Sequence, residues 1–170
     1  ALEETDGDFD AAAKLLREKG LAKTVDRADR ENAQGAVAVG RTEGAAAIVE
    51  LKCETDFVAK GDDFVAAAQR IADAANEAKA GGPEALKAVA LDGKTVGEVV
   101  ESLAITIGEK IELGQVAYFD GPVVAYMHKR AADLPPAVGV LVEYSGDEQG
   151  ARGAAMQIAG RSIAEKHCIP

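Results

Sequence analysis

A chain of 170 residues with 19 Lys plus Arg against 29 Asp plus Glu, a formal net charge of −10, is long enough for one large domain or two small ones around a real core. Its content of Val, Ile and Leu excludes a disordered chain, and no run approaches the ~18 consecutive apolar residues of a membrane-spanning helix. The negative balance argues against general binding to phosphate backbones, and two cysteines, Cys53 and Cys168, make no disulfide framework.

Those cysteines read as free buried thiols in a reducing compartment. The first residues, Ala1-Leu2-Glu3-Glu4, are acidic and lack the basic and apolar regions of a signal peptide. Without an initiator Met, the chain reads as trimmed or as a fragment.

Asp8 is placed to cap a helix running through Leu15 and Leu16 to Lys19, with Gly20 as its stop. Phe9, Ala12, Ala13 and Leu16 share one face of that helix, which a single helix cannot bury alone. Residues 21–32 are densely charged and read as a helix or helical linker. A hairpin follows: residues 36–40, a turn near Thr42-Glu43-Gly44, then residues 46–52, the two arms together enriched in Val and Ile. Over residues 63–79, Phe64, Ala67, Ala68, Ile71 and Ala75 recur at helical spacing, and Ala80-Gly81-Gly82-Pro83 ends that helix. Helices over 84–88 and 96–105 come next.

The second half repeats the plan. Strand-like runs occupy 111–119, 123–129 and 137–144, with Asp120-Gly121-Pro122 as a tight turn and Asp133-Leu134-Pro135-Pro136 as a stiffer connection. A helix from Asp147 then carries Ala151, Ala155, Ile158 and Ala159 inward. The expected fold class is α+β, with two small subdomains at residues 33–109 and 110–170, each an antiparallel meander with packed helices. Residues 1–32 precede them as the remnant of an N-terminal helical module and its linker. Whether the halves descend from a duplication is left open by a match of pattern alone.

Several motifs fail on inspection. Asp92-Gly93-Lys94-Thr95 contains the end of a P-loop, but Ala88 stands where that loop needs its first Gly, so the segment reads as a turn. Asp6-Gly7-Asp8-Phe9-Asp10 alternates carboxylates like a calcium loop, but Ala11 replaces the required Gly and Arg17 the closing Glu. His128 and His167, the only histidines, lack any zinc spacing, so no metal site is expected. No serine sits in a nucleophile elbow. A nucleophilic pair of Cys53 and His128 is the remaining enzymatic reading, disfavoured because Cys53 ends an apolar strand.

The informative segment is Cys53-Glu54-Thr55-Asp56-Phe57-Val58-Ala59-Lys60. An apolar strand ends there, and Thr55 or Asp56 is placed to cap a short helical turn. On pattern alone Phe57 is either a core plug or a projecting wedge.

This segment resembles the signature of the bacterial elongation factor Ts family, guanine-nucleotide exchange factors for elongation factor Tu. Further segments resemble that family in order: Thr5-Asp6-Gly7-Asp8-Phe9-Asp10, Ile107-Gly108-Glu109-Lys110-Ile111, Tyr126-Met127-His128 and Leu134-Pro135-Pro136-Ala137-Val138-Gly139-Val140-Leu141-Val142, the last in an actinobacterial form. The resemblance implies that Asp56 and Phe57 enter the partner's nucleotide domain near its magnesium ion, with Thr55 and Val58 holding the pair in place. It implies secondary contacts from Ile107, Gly108 and His128, although Ile107-Gly108 also reads as a helix end and His128 as an ordinary strand residue. It further implies a cytoplasmic binding protein with no cofactor, no reaction of its own and no direct hold on nucleic acid. Compared with the family, the chain is expected to be truncated at both ends, residues 161–168 match poorly, and a homo-oligomer through parts outside the chain stays open. The alternative is an interaction fragment that binds elongation factor Tu without accelerating exchange.

Overall fold

The computed structural model describes residues 1–167, together with the side chains of residues 1–163. Helix α1 (Phe9–Asp26) starts at Asp8, whose carboxylate accepts the Ala11 N–H. It does not stop at Gly20. A side chain there would put its Cβ 2.6 Å from Ile105, so the glycine serves close helix packing and α1 runs on to Asp26. The charged stretch is therefore the last turns of α1 followed by bends. Phe9 and Leu16 stay exposed, and only Ala12 of that helix is buried.

Strands β1 (Gln34–Thr42) and β2 (Ala45–Cys53) form a hairpin in which Thr42 faces Ala45. Gly44, at φ +80°, supplies the left-handed turn residue. Side chains alternate between faces, and Ala36, Ala38, Ala47, Val49 and Leu51 form a buried floor. Helix α2 (Asp56–Ala59) is a single turn, and α3 (Asp62–Glu77) crosses that floor through Phe64, Ala68, Ile71, Ala72 and Ala75. The alanines let helix and sheet approach closely; at Gly40 a Cβ would lie 2.2 Å from the Ala72 carbonyl oxygen.

Helix α4 (Pro83–Lys87) and the hairpin β3 (Ala90–Leu91) and β4 (Lys94–Thr95) lead into α5 (Val96–Ile107). The Asp92-Gly93 turn has positive φ at both residues, as a two-residue hairpin requires. Thr95 and Glu98 form a reciprocal capping box at the start of α5. Those hydrogen bonds to Thr95 hold the exposed Glu98 carboxyl below its usual range.

Strands β5 (Glu112–Asp120), β6 (Val123–Lys129) and β7 (Pro136–Glu143) divide between two sheets. The α+β class with small antiparallel sheets holds, but the three strands do not form one meander. β5 pairs with β2, giving the order β1-β2-β5, while β6 pairs with β7. Two long-range bonds add to the β2–β5 ladder. Gly121 N–H donates to the Gly44 carbonyl, and Glu50 accepts the Gln115 N–H across a bulge in the β2–β5 ladder. The β6–β7 hairpin lies on the far face of the first sheet, where a Cβ at Gly139 would meet Ile48 and Val37 at 2.6 and 2.7 Å. Helix α6 (Glu148–His167) covers the hairpin's other face with Ala151 and Ala155 against Val124, Tyr126, Val140 and Val142. The layers run α3, first sheet, hairpin, α6.

Ala159 joins the buried stripe of α6, but Ile158 is 48% exposed, a correction to the sequence expectation. Positions 151, 155 and 159 follow the four-residue ridge that faces the hairpin, and 158 falls off its flank. Among the described residues no helix is long and apolar enough to cross a membrane. Cys168 lies outside the described residues, as does the side chain of His167.

Candidate partner-binding site

β2 ends at Cys53, which is fully buried, and the chain then turns outward. Thr55 is extended, at φ −120° and ψ 151°, and is the N-cap of α2: its hydroxyl accepts the Val58 N–H at 3.3 Å. The turn closes when Ala59 N–H donates to the Thr55 carbonyl and Lys60 N–H to that of Asp56. Ala59 is buried and Val58 packs against the main core, so these two residues anchor the turn. Asp56 and Phe57 are thereby left outside, with Phe57 76% exposed. Of the two sequence readings of Phe57, the core plug is excluded. The Lys60 ammonium lies 5.4 Å from the centre of the Phe57 ring and 3.8 Å from Asp133, in the β6–β7 connection.

The tip is held from behind by the segment that follows α5. Gly108, at φ +85°, ends α5 in the left-handed conformation and turns the chain toward the tip. Glu109 then accepts three hydrogen bonds: from Glu54 N–H at 3.0 Å, Thr55 N–H at 3.1 Å and the Thr55 hydroxyl at 2.6 Å. In return Glu54 accepts the Lys110 N–H at 2.6 Å and lies 3.5 Å from the Arg30 guanidinium. The two carboxylates clasp the two segments together.

Ile107 is half-buried and packs against the main core, while the left-handed Gly108 has open space where a Cβ would point. Both lie in the segment that carries Glu109, so the structure brings Ile107 and Gly108 to the loop bonded to the Thr55 cap. His128 stands apart on the β6–β7 hairpin. It faces Val138 across the ladder, and its ring stacks on Tyr126 with centres 6.4 Å apart.

Burial pushes the Cys53 thiol up to about 12, reinforced by the Glu109 carboxylate and partly offset by a hydrogen bond from Sγ to the Thr55 carbonyl. A thiol so placed stays protonated at neutral pH and offers no thiolate nucleophile. Among the described residues no group of three or more His, Cys, Asp or Glu is placed to hold a metal ion.

Glu54 and Glu109 were not singled out by the sequence as site residues. Their pairing spans more than fifty positions, so no local periodicity signals it. The available cue was an acidic residue directly after a helix-ending glycine.

With this geometry in place, comparison with known proteins is specific. The family model described as Elongation factor TS matches residues 54–164, which takes in part of the stretch expected to match poorly. Elongation factor Ts of Nocardioides sp. is 76% identical over 160 residues, covering 94% of this chain and 58% of that protein. The Saccharopolyspora erythraea protein of the same name is 55% identical over 160 residues, with the same coverage. That of Rhodococcus opacus is 52% identical over 163 residues, again covering 94% of the chain and 58% of the protein. The chain thus spans a little over half the length of these curated relatives. The extent of the family match and the identity to these actinobacterial proteins show that the chain belongs to the elongation factor Ts family.

Proposed function

We propose that this chain binds elongation factor Tu in its GDP-bound state and promotes GDP release by inserting Asp56 and Phe57 near the partner's magnesium and nucleotide site. The observation that carries this reading is the exposure of Phe57 on a capped, anchored turn. A large apolar ring held out in water is an unfavourable arrangement for a lone chain, and burying it in a partner gains about 1.5–3 kcal/mol. The Asp56 carboxylate, exposed beside it, suits competition for groups around a bound magnesium ion.

An exchange factor makes and breaks no covalent bond. It binds the nucleotide-free partner better than the loaded one, and reciprocity requires that it weaken nucleotide binding by the same factor. Thr55 and Val58 fix the direction of the wedge. Ile107 and Gly108 form a second contact beside it, where the absence of a Cβ admits close backbone approach. His128 forms a third, from the β6–β7 hairpin. The net charge of −10 favours a protein partner over direct contact with RNA, and a role in translation elongation is consistent with work in the cytoplasm.

The test is the release rate of a fluorescent GDP from elongation factor Tu, with and without the chain. Concentration-dependent acceleration is expected, and Phe57→Ala should abolish most of it. Binding without acceleration would replace this reading with that of an interaction fragment; neither binding nor acceleration would reject both.

A further inference from the structure

We infer that Glu109 is a positioning residue for exchange: its carboxylate holds the Thr55 cap, and through it the Asp56-Phe57 wedge, in the orientation that enters the partner. The inference rests on the exchange reading above, although its structural half can be tested without the partner.

The argument begins with orphaned backbone groups. β2 has ended at Cys53 and α2 has not begun until Asp56, so the N–H groups of Glu54 and Thr55 belong to neither a ladder nor a helix. Glu109 accepts both through Oε2. Its other oxygen accepts the Thr55 hydroxyl proton at 2.6 Å, which turns the hydroxyl's lone pairs toward the Val58 N–H. One carboxylate thus sets both the backbone leading into the cap and the rotor that makes the cap. The second partner matters because α2 is only four residues long. A helix that short does not persist on its own propensity and depends on what holds its ends.

The holder is itself fixed. Gly108 aims Glu109 at the tip, and Glu54 returns a bond to the Lys110 N–H. The Lys110 ammonium in turn bonds to the carbonyls of Ala28 and Arg30, tying the clasp to the chain that follows α1. The wedge is consequently referenced to the end of α5 as well as to its own strand. Loss of Glu109 leaves the apolar anchors Val58 and Ala59 in place, so the fold and the outward side of Phe57 persist while the angle of its ring is released.

Two variants test this: Glu109→Ala, which removes the acceptors, and Glu109→Gln, which keeps the size and only one acceptor oxygen. The chain has no tryptophan, so Phe57→Trp supplies a single reporter at the tip. Its fluorescence anisotropy decay should show a restrained indole with Glu109 present, a mobile one after Glu109→Ala and intermediate motion after Glu109→Gln. An equally restrained indole in all three overturns the inference, whatever elongation factor Tu does. In the exchange assay, Glu109→Ala should lower the maximal rate on the order of tenfold, the cost of ordering one or two residues again, with a smaller change in half-saturation. Made on top of Phe57→Ala, it should cost nothing further, because both changes disable one wedge. Full additivity of the two losses, or an unchanged maximal rate in a folded Glu109→Ala chain, would overturn it. If the unaltered chain fails to accelerate release, the exchange reading falls, and the anisotropy result alone decides whether Glu109 orients the tip.

Discussion

Phe57 and Phe64 lie seven residues apart, and each sits in the first turn of a helix directly after an aspartate, yet one is 76% exposed and the other 1%. Their local sequences do not separate them. What does is the rest of each helix. Phe64 begins a stripe that continues through Ala67, Ala68, Ile71 and Ala75, long enough to lock α3 onto the sheet in one rotation. α2 has no room for a stripe. Its inward positions are taken by Val58 and Ala59, and the geometry of one turn then leaves Phe57 facing away. The same residue type is a core plug in one place and an exposed, outward-facing ring in the other because neighbours, not propensity, set the helix rotation.

The sharpest way to press this comparison is to shorten the buried ring. Phe64→Ala should destabilise the chain by about 3–5 kcal/mol, since it opens a cavity among small residues that cannot collapse into it. Thermal or denaturant unfolding checks this. A loss under about 1 kcal/mol would mean that the α3–sheet contact is far looser than its burial implies.

The junction between the two regions is probed by pH. The Cys53 thiol is raised to about 12 from an ordinary value of 9.0. A raised value means that the folded state holds its proton more tightly than the unfolded one. The associated stability is complete below pH 9 and is lost as pH climbs from 9 toward 12. By pH 10 the loss should be roughly 1 kcal/mol, and Cys53→Ala should remove that part of the pH dependence. Thiol labelling of the native chain at pH 7 should correspondingly be slow and should follow unfolding. Rapid labelling would show that the strand end opens freely beneath the tip.

Thr55→Ala deletes the cap, and the expected loss is about 1 kcal/mol. Its effect should be local, seen as faster hydrogen exchange at the amides of Val58 and Ala59 while α3 keeps its protection. A loss of protection spreading into α3 would show that tip and core unfold as one unit, which would dissolve the distinction drawn between them.

How far the sequence foretells this molecule follows from the same logic. The β1–β2 hairpin, α3 and the capped turn at Thr55 were readable because their signals are local: alternation, a helical stripe, a cap residue before a short helix. The partner of β5 was not, because the β2–β5 ladder joins residues sixty or more positions apart, as do the Glu50–Gln115 bond and the Gly121–Gly44 contact beside it. Gly20 misled for a related reason. Its smallness answers to Ile105, some eighty residues on, and not to a helix terminus. Ile158 fits the stripe by hydropathy but misses the ridge that faces the hairpin. At the site, resemblance and pattern together marked Thr55 to Val58, while Glu54 and Glu109 became visible only once two remote segments met.

The smallest expected effect on stability is also the most discriminating. Phe57→Ala removes a ring that is 76% exposed and has the Lys60 ammonium beside it, so unfolding should change by no more than about 0.5 kcal/mol. The contrast with Phe64→Ala, nearly tenfold in free energy for the same chemical change, would then measure how completely the fold has withdrawn Phe57 from its own core. Joined to a loss of GDP-release activity, a silent stability effect assigns the ring to a partner. If Phe57→Ala instead lowered stability by 2 kcal/mol or more, the ring would be folded back onto the chain in solution. Binding would then have to release it first, and the wedge would be a switched element instead of a preformed one.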